Sequence, residues 1–377
     1  MLKNKDKGIT LIALVITIII LLILAGISIS ALTNQGLFKN AKAAQNTTEK
    51  AEKEQGQRLN EYEDEINKYL GNSKEESKVP TVEESIKKNG ALSTTDNTEL
   101  KDAKNNKIVV PAGFKIVEGA TTVDKGIVIE DVTESGTKGS QFVWIPVGTI
   151  TKADGTTATI TLGRYDFDAT TGKESAYSGT YVEEDANDTS TLKKYGNTIA
   201  KNITNFKNSV ATNGGYYIGR YEARTATARS NKADALTQIT EKGTENVYNY
   251  VTQLQAAQLS QNMYNSNKFT SDLINSYAWD TATVFIQNCG TNAKYSRQNS
   301  LNKALAQTGT TTDMQCNIYD MASNILEWTT ETSSDSSKPC VYRGGFYNSS
   351  NDCTSYRSVI RTSYSLVNLG FRPLLYL

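Results

Sequence analysis

The chain has 377 residues, 40 basic and 40 acidic side chains, and 38% hydrophobic residues, which suits one sizeable core beside one membrane segment. Balanced charge without a Lys/Arg stripe excludes the electrostatic footprint of a nucleic-acid binder, so no nucleic-acid partner is expected. There is no histidine, which removes the commonest general base, the Ser-His and Cys-His pairs and the usual zinc and iron ligand sets; with 20 tyrosines the chain reads as contact surface rather than as an enzyme.

The first element is "KNKDKGITLIALVITIIILLILAGISISAL", in which Lys3, Lys5 and Lys7 precede an apolar run over residues 9–32. At about 1.5 Å per residue the run covers roughly 36 Å, more than a hydrocarbon core of about 30 Å. The lysines stay inside by the positive-inside rule, so the expected topology is a single-pass cell-membrane protein with everything after Leu32 extracellular. A secretory signal peptide would have a shorter apolar region and an early small-residue cleavage site. The stretch resembles the type IV prepilin N-terminus, in which a basic leader (here 1–8) is cut after a glycine; the resemblance implies processing between Gly8 and Ile9. Polymerising pilins carry a Glu at the fifth mature position, where this chain has Ala13. Without that carboxylate a filament loses its usual registering charge, which favours a solitary or minor pilin-like protein. A pilus-associated subunit with other pilus subunits as partners, and an uncleaved anchor, stay open.

Beyond the membrane, Leu37, Ala41, Ala44, Thr48, Ala51, Gln55, Leu59, Tyr62, Ile66 and Tyr69 recur at three- and four-residue steps, predicting an amphipathic stalk helix over 33–72 that ends near Gly71-Asn72. It either packs on its own domain or stands as a solvated charged helix. Residues 73–106 are polar and charged and read as linker.

The folded part is expected over 107–377. "KIVVPAGFKIVEGATTVDKGIVIEDV" and "GSQFVWIPVG" read as short strands and turns. Polar sequence up to Asn213 reads as loops and an insertion. "GGYYIGRYEA" reads as a strand, "VTQLQAAQLSQNM" as a helix, and "SYAWDTATVFIQNC" as another with Ala278, Thr281, Ala282 and Phe285 on one face; the order is α+β. Cys289, Cys316, Cys340 and Cys353 lie outside the membrane on this topology. One or two disulfides are expected there, in any of the possible pairings, with free thiols as the alternative.

"NIYDMASNILEWTTE", "YRGGFY" and "LGFRPLLYL" resemble the closing motifs of the formylglycine-generating, or sulfatase-modifying-factor, family, a variant of the C-type lectin fold; "FVWIPVG" and "YYIGRYEA" resemble its opening strands. The resemblance implies an N-terminal transmembrane/stalk helix followed by a C-type-lectin-like domain. Catalytic members hold copper with two cysteines shortly after Arg-Gly-Gly. Here Arg343-Gly344-Gly345 is followed by Cys353 alone, so neither copper nor formylglycine generation is expected. Asp320 and Glu327, with carbonyls at Ser323 and Ile325, supply the hard oxygens that calcium takes, at positions where the family binds it. The competing reading has Asp320 capping a turn and Glu327 paired with an arginine such as Arg372.

Between Gly345 and Gly370 the residues change character. Positions 346–369 contain no Lys, Glu, Gln, Met or Trp, types that make up roughly a fifth of the chain, and chance gives this on the order of once in a hundred. The residues present are all reachable from an Asn codon ending in a pyrimidine when its two adenines are replaced. The pattern resembles the target proteins of diversity-generating retroelements, whose C-terminal cassette is rewritten by adenine-directed mutagenesis. On that resemblance Phe346, Asn348, Ser350, Asp352, Cys353, Tyr356, Ser358, Val359, Ile360, Tyr364 and Leu366 contact an extracellular protein or glycan ligand, while Arg343 and Arg372 serve the scaffold. An ordinary surface loop of fixed specificity stays open.

Overall fold

Short Val/Ile-rich runs between glycines and prolines do become strands, and they assemble into two sheets that meet at a single arginine. The computed structural model describes residues 16–24, isolated positions between 48 and 62, and 79–377 apart from 89 and 184–199. The chain divides into two units, Met1–Lys78 and Val79–Leu377.

In the first unit residues 16–24 are helical, with their isoleucines and leucines 48–68% exposed. Gly8, Ile9, and most of the expected 9–32 span and 33–72 stalk fall outside the described residues. No helix among the described residues is long and apolar enough to cross a membrane.

The second unit is mixed α+β, rich in sheet. Its larger sheet has six strands in the order Thr270–Leu273, Pro373–Tyr376, Gly215–Gly219, Gln141–Pro146, Val128–Asp131 and Phe114–Ile116, with every neighbouring pair antiparallel. Gly215–Gly219 is buried throughout and Gln141–Pro146 at five of its six positions, as expected of strands covered on both faces. Trp144 and Tyr217 stack in this core with ring centroids 5.0 Å apart. The smaller sheet runs Arg357–Ile360, Cys340–Arg343, Leu326–Thr332, Leu369–Phe371, its last pair parallel.

Three helices of eight or more residues close the unit. Ile203–Asn213 is capped by Asn202 and stops at Gly214 with φ +76°. Gln253–Gln261 opens with a capping box between Thr252 and Gln255. Ser276–Cys289 starts where Asn275 accepts from the Ala278 N–H and has ten of its fourteen residues buried. Ala278, Thr281, Ala282 and Phe285, expected on one face, are all among them.

The structure corrects the domain boundaries. Within the expected 73–106 linker, Val82–Ile86 forms a helix closed by a capping box of Thr81 and Glu84, and Thr98–Lys101 pairs with Lys107–Val110. Val82 and Leu100 are fully buried; a five-residue helix is too short to show a 3.6-residue period, so its local signals are the Thr81-x-x-Glu84 capping pattern and isolated apolar positions. In the expected insertion before Asn213, Gly148–Thr151 pairs with Thr157–Ile160, and Tyr165–Phe167 with Glu174–Ala176. The expected disulfides are absent: all four cysteines are free, Cys340 and Cys353 buried and the other two half-buried. Burial pushes the Cys289 and Cys340 thiols up to about 12.

Leu369–Phe371 belongs to the smaller sheet and Pro373–Tyr376 to the larger, so Arg372 is the joint between them. Its Nη2 and Nε donate to Glu327 Oε1 and Oε2 at 2.7 and 3.1 Å, Nη1 to the Gly219 carbonyl at 2.8 Å and Nη2 also to the Tyr319 carbonyl at 2.8 Å. Both side chains are fully buried. Arg372→Ala leaves Glu327 buried and unpaired and is expected to cost about 3–5 kcal/mol. Trp328→Ala, which also strands the Val251 carbonyl that the indole serves at 2.9 Å, is expected to cost a similar amount, about 3–5 kcal/mol. Urea unfolding of either variant with a loss below about 1 kcal/mol would contradict this.

Candidate ligand-binding surface

The 346–369 segment is framed by packing that tolerates little change. Gly344 has φ +85°, and a Cβ at Gly345 would overlap the Ala322 carbonyl, so both framing glycines are required by geometry. Arg343 is fully buried, paired with Asp280, and donates from Nε to the Tyr356 carbonyl at 3.1 Å.

Inside the frame, the backbone is held by main-chain groups of the scaffold. Tyr347 N–H donates to the Asn324 carbonyl at 2.8 Å, Asn348 N–H to Asn302 at 2.9 Å, Thr354 N–H to Gln298 at 3.1 Å and Ser355 N–H to Ser296 at 3.0 Å. At the far end the Leu366 carbonyl accepts from Tyr250 N–H at 3.1 Å and the Asn368 carbonyl from Leu326 N–H at 2.9 Å. Such bonds do not depend on which side chains the segment carries. Between the two loops Arg357–Ile360 is the terminal strand of the smaller sheet, paired with Cys340–Arg343 alone among the described residues.

The eleven expected contact residues divide by exposure. Asn348, Ser350 and Tyr364 are exposed, whereas Phe346, Asp352, Tyr356, Ser358, Val359, Ile360 and Leu366 are half-buried. Cys353 is buried, 3% exposed, with Sγ 3.4 Å from Ser355 Oγ. Phe346, Tyr356, Ile360 and Leu366 also rest against the core. Tyr356 continues an aromatic row that rises from buried Trp328 through Tyr342, with centroid distances of 6.3 and 6.2 Å.

The segment forms one wall of a cleft of about 570 Å³ through Asn351, Cys353, Ser355, Tyr356 and Arg357. The opposite wall carries Tyr165, Phe167, Tyr177, Tyr181 and Arg297, none of which the sequence reading singled out. Their available signal was four aromatic rings in a short, otherwise polar stretch. Arg164 and Arg357 lie over the two sides of the cleft: their guanidinium carbons are 4.3 and 4.1 Å from the Tyr177 ring centroid. Beneath the cleft, Arg357 reaches Asp280 at 2.7 Å and Glu331 at 3.0 Å, Arg164 pairs with Glu331, and Arg343 shares Asp280. Three guanidiniums therefore rest on two buried carboxylates.

The expected calcium ligands are near in sequence but held by separate partners. Glu327 is engaged by Arg372 through both oxygens. Asp320, in the left-handed region at φ +67°, accepts from Thr311 Oγ1 and from Gly309 N–H at 3.3 Å. Burial pushes its carboxyl up to about 7. For Glu327 to join a calcium site it would have to release Arg372. Among the described residues no group of three or more His, Cys, Asp or Glu is disposed to hold a metal.

No family model matches the chain, and no curated protein matches it. Among solved structures it is similar to Treponema denticola variable protein 1, with a TM-score of 0.36 at 13% identity over 64% of this chain and 98% of that one. It is similar to the Major Tropism Determinant M1 variant, with a TM-score of 0.28 at 12% identity over 75% of this chain and 72% of that one. A third similarity is to CarF, with a TM-score of 0.30 at 12% identity over 43% of this chain and 86% of that one.

Two predictions follow from these contacts. Ser350→Ala and Tyr364→Ala are expected to change stability by no more than about 0.5 kcal/mol, whereas Arg357→Ala, although inside the same segment, is expected to cost about 3 kcal/mol by leaving Asp280 and Glu331 short of a partner; equilibrium denaturation distinguishes them. The second concerns pH. Burial holds Asp320 up to about 7 and Asp272 up to about 6, both above their unfolded values, so between about pH 4 and 7 the unfolded chain ionises first. Stability is expected to fall as pH rises through that window. Asp320→Asn and Asp272→Asn should each flatten the slope by up to about 1.4 kcal/mol per pH unit; an unchanged slope would refute the assignment.

Proposed function

We propose that this chain is a cell-surface display protein: a pilin-like anchor carries a lectin-like domain that binds a ligand without catalysis, and residues 346–369 are a cassette rewritten by a diversity-generating retroelement. The observation that carries the reading is one stretch with a restricted residue repertoire whose backbone is held by scaffold main chain while most of its side chains reach the surface. Such an arrangement lets side chains change while the loop keeps its path, as a paratope requires. The missing histidine and the single cysteine after Arg343-Gly344-Gly345 support a binding role over formylglycine chemistry.

The deciding experiment is to sequence the flanking DNA. A near-identical template repeat, differing almost only at adenines, together with a reverse transcriptase gene, is expected; their absence would return 346–369 to an ordinary loop of fixed specificity. For the anchor, mass spectrometry of the membrane-extracted protein is expected to find Ile9 as the new N-terminus. An intact Met1 would leave a plain anchor and remove the pilin-like element.

A further inference from the structure

If the segment 346–369 is rewritten from copy to copy, the opposite wall of the 570 Å³ cleft is not, and whatever that wall selects is common to every ligand. We propose that this constant wall is a subsite for an acidic sugar, a one- or two-ring unit bearing a carboxylate, which the cassette then discriminates by its surroundings. The inference rests on the cassette reading above and deepens it.

Size comes first. A cleft of about 570 Å³ encloses a small ligand, not a protein surface. Its constant side presents rings at Tyr165, Phe167, Tyr177 and Tyr181, all half-buried and therefore with part of each ring open. Half-open tyrosines accept the apolar C–H face of a sugar and offer hydroxyls to its polar edge. The Tyr177 ring is covered by the guanidiniums of Arg164 and Arg357, at 4.3 and 4.1 Å from its centroid, which fixes the wall in place and leaves Tyr165, Phe167 and Tyr181 as the rings open to a sugar.

Charge selects the acid. Arg164, Arg343 and Arg357 share Asp280 and Glu331, and the neighbouring Glu183 is pushed up to about 7 by burial and by Glu331, so it offsets the third guanidinium only in part. Two nitrogens of this set, Arg164 Nε and Arg343 Nη1, are buried without a hydrogen-bond partner. Arg297 adds a further exposed guanidinium on the cleft wall, with no ion pair among the described residues. Among the described residues Asp166 is the one carboxylate lining the cleft; its Oδ2 accepts from the Ser178 N–H and hydroxyl, both at 2.8 Å, which turns that oxygen away from a ligand. A ligand carboxylate at Arg297 meets a planar fork with unused donors and a field of matching sign. Neutral sugars keep the stacking and lose this contact.

The test titrates the full-length protein, in detergent, with glucuronate, N-acetylneuraminate, glucose and a triglutamate peptide, read by calorimetry and tyrosine fluorescence. Binding of the two acidic sugars at least about tenfold tighter than glucose is expected, together with a loss of about tenfold in Arg297→Ala and a smaller loss in Arg297→Lys. Tyr181→Ala, on the same wall, should weaken acidic and neutral sugars alike. A second chain carrying an unrelated 346–369 sequence in which Arg357 is kept should retain the preference for acid over neutral sugar. Equal binding of glucose and glucuronate, triglutamate preferred over the sugars, or a preference indifferent to Arg297→Ala would each overturn the proposal while leaving the display reading to its DNA test. Absence of a template repeat with the acidic preference intact would sink the cassette reading and leave the subsite standing.

Discussion

Everything in the folded unit depends on Arg372. It is one residue between two strands that belong to different sheets, and its guanidinium is fixed on Glu327 in one sheet and on the Gly219 carbonyl in the other. A buried ion pair is weak evidence of net stability, because desolvation offsets most of the attraction; removing one member is a different matter. Here the pair's value is geometric. The planar fork allows one relation between Leu326–Thr332 and Gly215–Gly219, and both framing motifs of the 346–369 segment inherit that relation, since Gly370 and Phe371 precede the joint directly. Glu222 and Glu241 lie in the same buried neighbourhood, and burial holds both carboxyls well above the usual carboxylate range; burial raises Glu327 as well, while the Arg372 guanidinium in contact with it pulls it back toward the charged form.

The binding segment shows the complementary principle. Its loops are tied at Tyr347, Asn348, Thr354 and Ser355 by N–H groups that any residue except proline supplies. Side-chain freedom is greatest at Ser350 and Tyr364, is narrowed at Asn348 by its left-handed backbone at φ +58°, and ends at Arg357, which serves both the cleft and the charge network beneath it. Recognition and stability therefore meet at one position instead of being spread over the surface. Outside the segment, Leu301 and Leu305 are 50% and 39% exposed beside Val367 at 36%, and Leu305 shares with Val367 a second hollow of about 360 Å³, so the contact surface has a fixed apolar margin as well.

How much of this was legible beforehand depended on the range of the interactions. The strands at Gln141–Pro146 and Gly215–Gly219, and the helices Gln253–Gln261 and Ser276–Cys289, announce themselves because their apolar runs and caps are local. The Glu327–Arg372 pair was one of two readings open from the motifs. The cleft's second wall was not legible: Tyr177 and Arg357 are brought together by the pairing of Tyr165–Phe167 with Glu174–Ala176, in a region whose polar composition reads as loop. The same holds for residues 79–106, where Leu100 gains its burial from pairing across a turn and not from a pattern of its own. Cysteine counting failed for a related reason, since spacing carries no information about which sulfurs approach one another.

The position of Pro373–Tyr376 has a consequence for protein quality. This strand follows the 346–369 stretch, yet it lies inside the six-stranded sheet, between Gly215–Gly219 and Thr270–Leu273, with Leu374 and Leu375 fully buried. The larger sheet cannot close until translation has passed through 346–369 in frame. A copy interrupted or frame-shifted in that stretch lacks a central strand and the arginine that joins the sheets, and it stays open to proteolysis. Folding itself thus reads the frame: only a chain translated in register through 346–369 supplies the strand that completes the larger sheet.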